Sequence, residues 1–225
     1  MEWSAIWLTL RLAMVVCAVL LVVGTPIAAW LAFTRWRWKF LLEAVVALPL
    51  VLPPTVLGFY ILVAIGANSP VGSLYHRVFG HRLPFTFTSL AIASVIYSLP
   101  FAVQPMVAAF SGVDRELLSA SAILGASPLR TFARIVMPLS KSGIITGAVL
   151  SFAHTLGEFG VVLMVGGNIP GVTRTVSIAI YDHVEALDYA SANQMALLLM
   201  AFSFIALSLT YAVNRRVWAV WPLHR

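Results

Sequence analysis

The chain has 225 residues, of which 61% are hydrophobic and only 10% charged, and its mean hydropathy is +0.96. So few charges cannot cover a water-soluble globule of this size, so the composition excludes a soluble domain and indicates a protein of the lipid bilayer. The net charge of +6 does not indicate nucleic acid, because the basic residues cluster at the ends of apolar runs. A single cysteine, Cys17, excludes a disulfide framework and a cysteine metal site.

Five apolar segments are long enough to cross a bilayer, which takes about 20 helical residues. We predict spans at residues 12–33, 40–67, 89–113, 143–165 and 190–213. Residues 1–9 then form an outer N-terminal segment, residues 10–213 the membrane domain, and residues 214–225 a cytoplasmic tail. The sequence therefore predicts an all-α membrane protein, a bundle of about five transmembrane helices.

The placement of the basic residues predicts the orientation of these spans. If residues 34–39, 114–141 and the tail face the cytoplasm, ten basic residues lie inside and four outside. Cytoplasmic loops carry the excess of Lys and Arg, so we expect the N-terminus outside and the C-terminus inside. The inner residues are Arg35, Arg37, Lys39, Arg115, Arg130, Arg134, Lys141, Arg215, Arg216 and Arg225, and the outer ones are Arg11, Arg77, Arg82 and Arg174.

Prolines interrupt the second span. Pro49, Pro53 and Pro54 remove backbone donors, and Gly58 follows about one turn later. Non-helical backbone at membrane depth is tolerated only inside protein or along a wet cavity. Two interpretations stay open: the break shapes a route across the membrane, or it is a packing kink. Residues 68–88 are predicted to form an outer loop with one short helix.

The third and fourth spans carry polar side chains. Ser94 and Ser98 recur on one face of the third span, where pore lining and interhelical hydrogen bonding are both compatible with the pattern. In the fourth span, four polar residues at i, i+3, i+4 and i+7 are predicted to share one helical face. These four are Ser151, His154, Thr155 and Glu158.

Ionisable groups inside a membrane usually mark function. Three hypotheses fit His154 and Glu158. They pair one helical turn apart or bridge to another helix and so stabilise the bundle, they line or close a pathway, or they are two metal ligands of an intramembrane enzyme. The third lacks a further ligand within the spans. The same helix carries a ridge of small residues, Gly143, Gly147 and Ser151, which is predicted to pack closely against a neighbour.

The outer loop of residues 166–175 combines turn-forming residues with a cation and hydroxyls. Its candidate contacts for a partner protein are Asn168, Thr173 and Arg174, and a plain connection between helices is the alternative. The candidate pathway or gate residues of the spans are Pro49, Pro53, Pro54, Ser94, Ser98, Ser151, His154, Thr155 and Glu158.

A polar stretch from Asp114 to Lys141 interrupts the apolar sequence. Its spacing resembles the cytoplasmic EAA loop of ABC-transporter permeases, E-A-A-x3-G-x9-I-x-L-P. Ser119 stands where that family has Glu, Ser121 where it has Ala, and Met137 where it has Leu; Glu116, three residues earlier, is a candidate replacement for the missing acid. In that family the first part of the motif forms a short coupling helix that sits in a groove of the ATPase subunit, and Gly125 is expected to end this turn. The resemblance implies an ATPase-coupling role for the residues at the motif positions, and an inert connector is the alternative. These residues are Ser119, Ala120, Ser121, Gly125, Ile135, Met137 and Pro138.

Four further stretches resemble the permease subunits of molybdate ABC transporters. Together with the loop they cover most of residues 10–213. The stretches are Leu48 to Pro54, Gly157-Glu158-Phe159-Gly160, Asn168-Ile169-Pro170-Gly171, and Thr173-Arg174-Thr175 leading to Ala179-Ile180-Tyr181.

This resemblance implies a type I ABC importer permease (MetI-like) fold in a prokaryotic cytoplasmic membrane. It implies a homodimer, two cytoplasmic ATPase subunits that use Mg-ATP, a periplasmic or extracellular oxyanion-binding protein, and no cofactor on this chain. The sequence has no phosphate-binding G-x-x-x-x-G-K-[ST] motif, so we expect no ATP hydrolysis by this chain itself. The alternatives are a permease for tungstate, sulfate or thiosulfate and, from another class, an intramembrane metal enzyme using His154 and Glu158.

Overall fold

A computed structural model describes residues 2–218 of the chain, with side chains as far as residue 212. Regular structure in these residues is helical, which confirms the predicted all-α class. The helices are α1 (Trp3–Phe33), α2 (Lys39–Val51), α3 (Pro54–Ile65), α4 (Pro70–Phe79), α5 (Phe87–Ser111), α6 (Arg115–Ile123), α7 (Pro128–Thr131), α8 (Met137–Leu139), α9 (Lys141–Gly157), α10 (Gly160–Gly166), α11 (Val176–Glu185) and α12 (Tyr189–Trp218), with a π-helical turn at Phe132–Val136 between α7 and α8.

Three helices, α1, α5 and α12, are each long and apolar enough to cross a membrane. Two bent pairs bring the number of candidate spans to five: α2 with α3, bent by 114°, and Pro128–Leu139 with α9, bent by 73°. The predicted bundle of about five spans agrees with this upper count. The short helix predicted for residues 68–88 is α4.

The first and the last span are longer than the sequence predicted. Helix α1 begins at Trp3, so most of the N-terminal segment assigned to residues 1–9 is part of the first span. Helix α12 continues to Trp218, so the predicted tail of residues 214–225 begins inside it. The rest of that tail, with Trp221 and Arg225, lies outside the described residues.

The centre of the bundle is α5, which packs against α1, α9, α2 and α10. Apolar side chains fill the contact between α1 and α5, among them the fully buried Leu12, Leu20, Met106 and Phe110. In lipid, helix packing is stabilised by close van der Waals contact rather than by removal of apolar surface from water, which makes small residues important at the helix contacts.

The small-residue ridge of α9 lies directly against α5, which confirms its predicted packing role. A Cβ atom added at Gly143 would lie 2.3 Å from the Ala109 Cβ atom, and one at Gly147 would lie 2.7 Å from the Ala102 carbonyl oxygen. Real Cβ atoms do not approach this closely, so only glycine lets the two backbones meet here.

Replacing Gly147 with alanine is therefore expected to destabilise the fold by about 1–3 kcal/mol, because the methyl group must push α9 away from α5. Gly157→Ala is the matched control, since a Cβ atom there meets nothing within 4 Å. Thermal unfolding of the purified protein in detergent measures both. Equal melting temperatures for the two variants would contradict the close-packing role of Gly147.

The predicted interruption of the second span is confirmed. Pro49 lies inside α2 and is buried, Leu52 and Pro53 are extended, and Pro54 occupies the first turn of α3. Proline suits this first turn because its missing N–H would have no helical partner there. The chain consequently turns sharply between α2 and α3 instead of crossing as one straight helix.

Candidate functional sites

The fourth predicted span is also broken, which the sequence did not predict. Helix α9 ends at Gly157, Glu158 is extended at φ −66° and ψ 131°, and α10 begins at Gly160. The prediction that four polar residues share one helical face is thus wrong for Glu158, because only Ser151, His154 and Thr155 lie on α9. Glycine on each side of the break weakens the helix. The Ser177 hydroxyl donates to the freed Glu158 carbonyl oxygen at 2.5 Å.

The polar side chains of α9 bond to α5. The Ser98 hydroxyl lies 2.9 Å from His154 Nδ1 and 3.0 Å from Thr155 Oγ1. The His154 ring also stacks on Phe101, with centroids 4.0 Å apart. Of the two roles left open for Ser98, interhelical hydrogen bonding is therefore the observed one.

Within α9, Thr155 donates to the Ser151 carbonyl oxygen at 2.9 Å, and Ser151 donates to that of Ala148 at 3.1 Å. Ser98 and Ser151 are completely buried, and Thr155 is 1% exposed. These hydroxyls are paired inside the fold, so they hold α5 and α9 in register.

Glu158 differs from these polar side chains because its carboxyl group is buried without a hydrogen-bond partner among the described residues. Only 4% of it is exposed, yet neither of its carboxylate oxygens has a hydrogen-bond partner among the described residues. The Ser94 hydroxyl, on the neighbouring α5, is also buried and approaches the Glu158 carboxyl group, but no hydrogen bond of standard geometry joins the two. Leaving a buried carboxyl group unpaired is costly, so Glu158 does not act as a stabilising contact within one chain.

The predicted pair between His154 and Glu158 does not form: His154 bonds to Ser98, and no ion pair joins the two residues in the described part of the chain. Nor do residues 2–218 contain a group of three His, Cys, Asp or Glu side chains placed to hold a metal ion. The structure thus gives no support to the alternative of an intramembrane metal enzyme.

The two broken spans lie against each other. A Cβ atom at Gly160 would lie 2.8 Å from the Pro54 Cβ atom, and one at Gly58 would lie 2.8 Å from the Met164 Cβ atom. Helices α3 and α10 pack along this contact, and α10 also packs on α5. The interruption at Pro53 and Pro54 therefore meets the interruption that carries Glu158.

The polar stretch from Asp114 to Lys141, called the polar loop below, begins with α6, and both ends of this helix are capped. Asp114 Oδ1 accepts the Glu116 backbone N–H at 2.8 Å, which fixes the start of the helix. At the other end Gly125 has φ +75°, and its N–H donates to Ala122 O at 3.0 Å. The Ala126 N–H donates to Ser121 O at 3.1 Å, which completes a Schellman motif. Gly125 ends the helix as its motif position predicts.

The EAA-like residues divide into an exposed and an anchored part. Ser119 and Ala120 are exposed, whereas Ser121 is buried and shares a 2.8 Å hydrogen bond with Thr131 of α7. Ile135 and Met137 pack against the core, and Pro138 lies in the first turn of α8. The motif therefore fixes a short surface helix to the bundle.

The most exposed part of this surface was not predicted from the sequence. Ile123 and Leu124 are each 86% exposed, and Leu129 is 77% exposed. We name these three residues the apolar tip. A large apolar side chain at the end of a capped polar helix was the available signal, because such a residue has no place in a solvated connector.

At the position of the missing glutamate, the Ser119 hydroxyl turns back and donates to the Arg115 carbonyl oxygen at 2.9 Å. Glu116 is exposed and lies three residues earlier, on the same face of α6. An acidic side chain is thus present on this face, one turn before the usual position.

At the opposite end of the bundle, Arg174 connects three segments. Its Nη1 atom lies 3.2 Å from Glu2 Oε1, its Nη2 atom 2.9 Å from Asp182 Oδ2, and its Nε atom donates to Asn168 Oδ1 at 2.7 Å. Asn168 Nδ2 donates in turn to Asp182 Oδ2 at 2.6 Å. Arg174 therefore ties the first residues of the chain to the 166–175 loop and to α11.

Thr173, a predicted partner contact, is completely buried, and its hydroxyl accepts the Ile169 N–H at 3.1 Å. It shapes the loop from inside and cannot touch another protein directly. Asn168 and Arg174 remain at the surface of the same loop.

A histidine joins this Arg174 network to the start of α12. His183 Nε2 lies 3.6 Å from Glu2 Oε1, and His183 Nδ1 lies 3.5 Å from Asp188 Oδ2. Hydrogen bonds from the Ser191 hydroxyl and backbone N–H hold the pKa of Asp188 below its ordinary value. Asp188 thus stays charged at the start of α12, beside the histidine.

Known proteins resemble the chain over nearly its whole length. It is 55% identical over 214 residues to the molybdenum transport system permease protein ModB of Azotobacter vinelandii, in an alignment that covers 95% of each protein. It is 36% identical over 207 residues to the protein of the same name from Escherichia coli K12, covering 92% of this chain and 90% of that one.

Solved structures of ABC importers share the fold. A chain of the MetNI methionine ABC transporter, in an inward-facing conformation, aligns with a TM-score of 0.69 at 18% identity, covering 97% of this chain and 95% of that one. A chain of a bacterial alginate ABC transporter, in complex with its periplasmic protein, gives a TM-score of 0.74 at 15% identity, covering 95% of this chain and 78% of that one. The expected type I importer permease fold is thereby confirmed.

The family match itself runs from residue 24 to residue 219 and so includes the broken spans, the polar loop from Asp114 to Lys141 and the whole of α12. Together with the relatives it establishes that the chain belongs to the family of binding-protein-dependent transport system inner membrane components.

Proposed function

We propose that the chain is the permease subunit of an ATP-driven, binding-protein-dependent importer of molybdate. The observation that carries this proposal is the 55% identity to a molybdenum transport permease over 95% of both chains. Relatives that are transport permeases also favour transport over catalysis by this chain.

We propose that two copies of the chain form the pathway and that each binds one ATPase subunit through α6. The exposed small residues Ser119 and Ala120 permit close docking, and the apolar tip offers side chains to bury in a groove of the partner. Glu116 takes the place of the acid that the EAA loop usually carries at Ser119. The closing and opening of the ATPase pair then moves α6, and α6 moves the spans to which Ser121 and Ile135 anchor it.

The proposed orientation has the N-terminus outside and the C-terminus inside. Residues 34–39 and α6 line one cavity, so they lie on one side of the bundle, as the charge rule requires for a shared cytoplasmic face. The Arg174 network then lies on the outer face. We propose that Asn168 and Arg174 form part of the surface that receives the binding protein.

The mechanism is alternating access around the meeting point of the broken spans. Irregular backbone at membrane depth suits a wet pathway between bundle halves, because it exposes peptide groups that can contact a passing ion. The candidate pathway residues at this level are Pro53, Pro54, Ser94 and Glu158. Backbone and hydroxyl donors without a buried Arg allow an oxyanion to pass without being held tightly, which leaves selection to the binding protein.

Uptake of molybdate into proteoliposomes that carry the permease, the ATPase and the binding protein tests this function. We expect uptake to require both ATP and the binding protein, and to be inhibited more by tungstate than by sulfate or thiosulfate, because tungstate is nearly the same size as molybdate. Uptake of sulfate or thiosulfate in preference to molybdate would show that molybdate is not the transported anion. Discrimination of molybdate from sulfate by permease and ATPase alone would overturn the assignment of selectivity to the binding protein.

A further inference from the structure

A cavity of about 450 Å³ lies where the ends of α1 and α5 meet the starts of α2 and α6. Its lining includes three basic residues, Arg35, Lys39 and Arg115, and three hydroxyl residues, Thr34, Ser111 and Ser119, but no acidic residue. Of these side chains, the function proposed above uses only that of Ser119, at the edge of the docking surface.

The charges in this cavity are largely unneutralised. Among the described residues, Arg35 and Arg115 form no ion pair within 4 Å, and Lys39 pairs only with Glu43, at 3.4 Å on the exposed side of α2. The nearby acids Asp114 and Glu116 do not line the cavity. Three cations converging on one concave surface repel each other and create a positive potential that attracts an anion.

Hydrogen-bond donors complete the site. Thr34 Oγ1 accepts the Trp36 backbone N–H at 3.3 Å, which leaves the hydroxyl hydrogen of Thr34 available for another acceptor. Guanidinium groups such as those of Arg35 and Arg115 bind tetrahedral oxyanions through paired N–H donors. From this set we propose that the cavity is a binding site for a phosphate-class anion, and that its occupant is the head group of an anionic phospholipid.

The surroundings favour a lipid over a free ion. Trp36 directly follows the lining residue Arg35 in the sequence, and its ring centroid lies 5.9 Å from that of Trp30; both residues are about half exposed, as in an interfacial aromatic belt. Ala32 and Phe33 add an apolar wall. A head group can therefore place its phosphate among the cations while its acyl chains run along the exposed apolar faces of α1 and α2. Basic pockets at the cytoplasmic ends of spans bind anionic lipids in this way.

An occupant of this cavity would touch both the spans and the start of α6. It would therefore stiffen the connection through which the helix acts on the bundle. The site does not depend on which oxyanion is transported, because its readout is retention of lipid rather than uptake of cargo.

The test uses the assembled transporter purified from membranes and analysed by native mass spectrometry for bound phosphatidylglycerol. Arg35→Gln with Arg115→Gln is expected to reduce the bound lipid by at least one molecule per permease chain. Arg37→Gln is the matched control, since Arg37 lies in the same turn but stacks over Trp38 at 5.3 Å and does not line the cavity. Ser111→Phe fills the cavity without changing its charge and is expected to give the same loss as the double variant.

A second experiment distinguishes between a lipid head group and a free oxyanion as the occupant of the cavity. Delipidated transporter is titrated with inorganic phosphate and with molybdate, and binding is measured for the wild type and the double variant. Saturable binding that the double variant loses would support the anion site and assign it to a free oxyanion. Unchanged lipid retention in both Ser111→Phe and the double variant, together with no oxyanion binding, would overturn the proposal.

Discussion

Replacing Gly125 with valine is expected to reduce ATP-driven uptake at least about tenfold, the equivalent of about 1.4 kcal/mol. Gly125 holds φ +75° and ends α6 through the Schellman hydrogen bonds. A side chain in this conformation costs about 1–2 kcal/mol, and a β-branched one costs more. The chain escapes the strain by opening the end of α6, which displaces the apolar tip from its partner. Uptake and ATP hydrolysis by the reconstituted complex measure the effect.

The chain offers a close control in Gly80, which also has φ +75° and also caps a helix, α4. At both glycines an added Cβ atom meets nothing within 4 Å, so valine imposes the same backbone strain without a clash. Gly80→Val is expected to leave uptake within about twofold of the wild type, because α4 packs on α3 and lies outside the polar loop that contains α6. Full transport by Gly125→Val, or equal losses in both variants, would contradict the assignment of α6 to force transfer.

Local rules predicted the features that depend on backbone chemistry. Pro53 and Pro54 lack N–H donors, so the break between α2 and α3 follows from the sequence. Gly125 could be placed at a helix end because its spacing from the small residues matched a known loop. In both cases the residue itself carries the constraint, and no distant contact has to be known.

Features that depend on distant contacts could not be predicted. Gly157 and Gly160 weaken the helix around Glu158, but the break is fixed by the bond donated by Ser177 and by packing of Gly160 on Pro54, while the surrounding sequence is apolar enough to predict one span. Arg174 meets Glu2 across a separation of 172 residues, so the loop sequence alone could not predict the Arg174 network. The apolar tip was overlooked because an apolar residue is ordinarily expected to be buried.

Glu158 is the residue whose replacement should separate stability from transport most clearly. Replacing it with leucine removes a buried carboxyl group that has no hydrogen-bond partner among the described residues and keeps a similar volume. Because burial of such a group is unfavourable and the replacement breaks no hydrogen bond, we expect stability to be unchanged or increased. Uptake by Glu158→Leu is nevertheless expected to fall at least about tenfold, or about 1.4 kcal/mol, because the carboxyl group sits where the two broken spans meet.

Thr9→Val is the control, and we expect it to lower stability while leaving uptake unchanged. The Thr9 hydroxyl donates to the Ala5 carbonyl oxygen at 2.8 Å and accepts the Val176 N–H at 2.9 Å, so it joins α1 to α11 and is fully paired. Its loss leaves a buried N–H unsatisfied and costs about 1–3 kcal/mol of stability, with uptake per folded transporter unchanged. Thermal unfolding and uptake are measured for both variants. If Glu158→Leu lowers the melting temperature and retains uptake, Glu158 is a structural residue and has no part in the pathway.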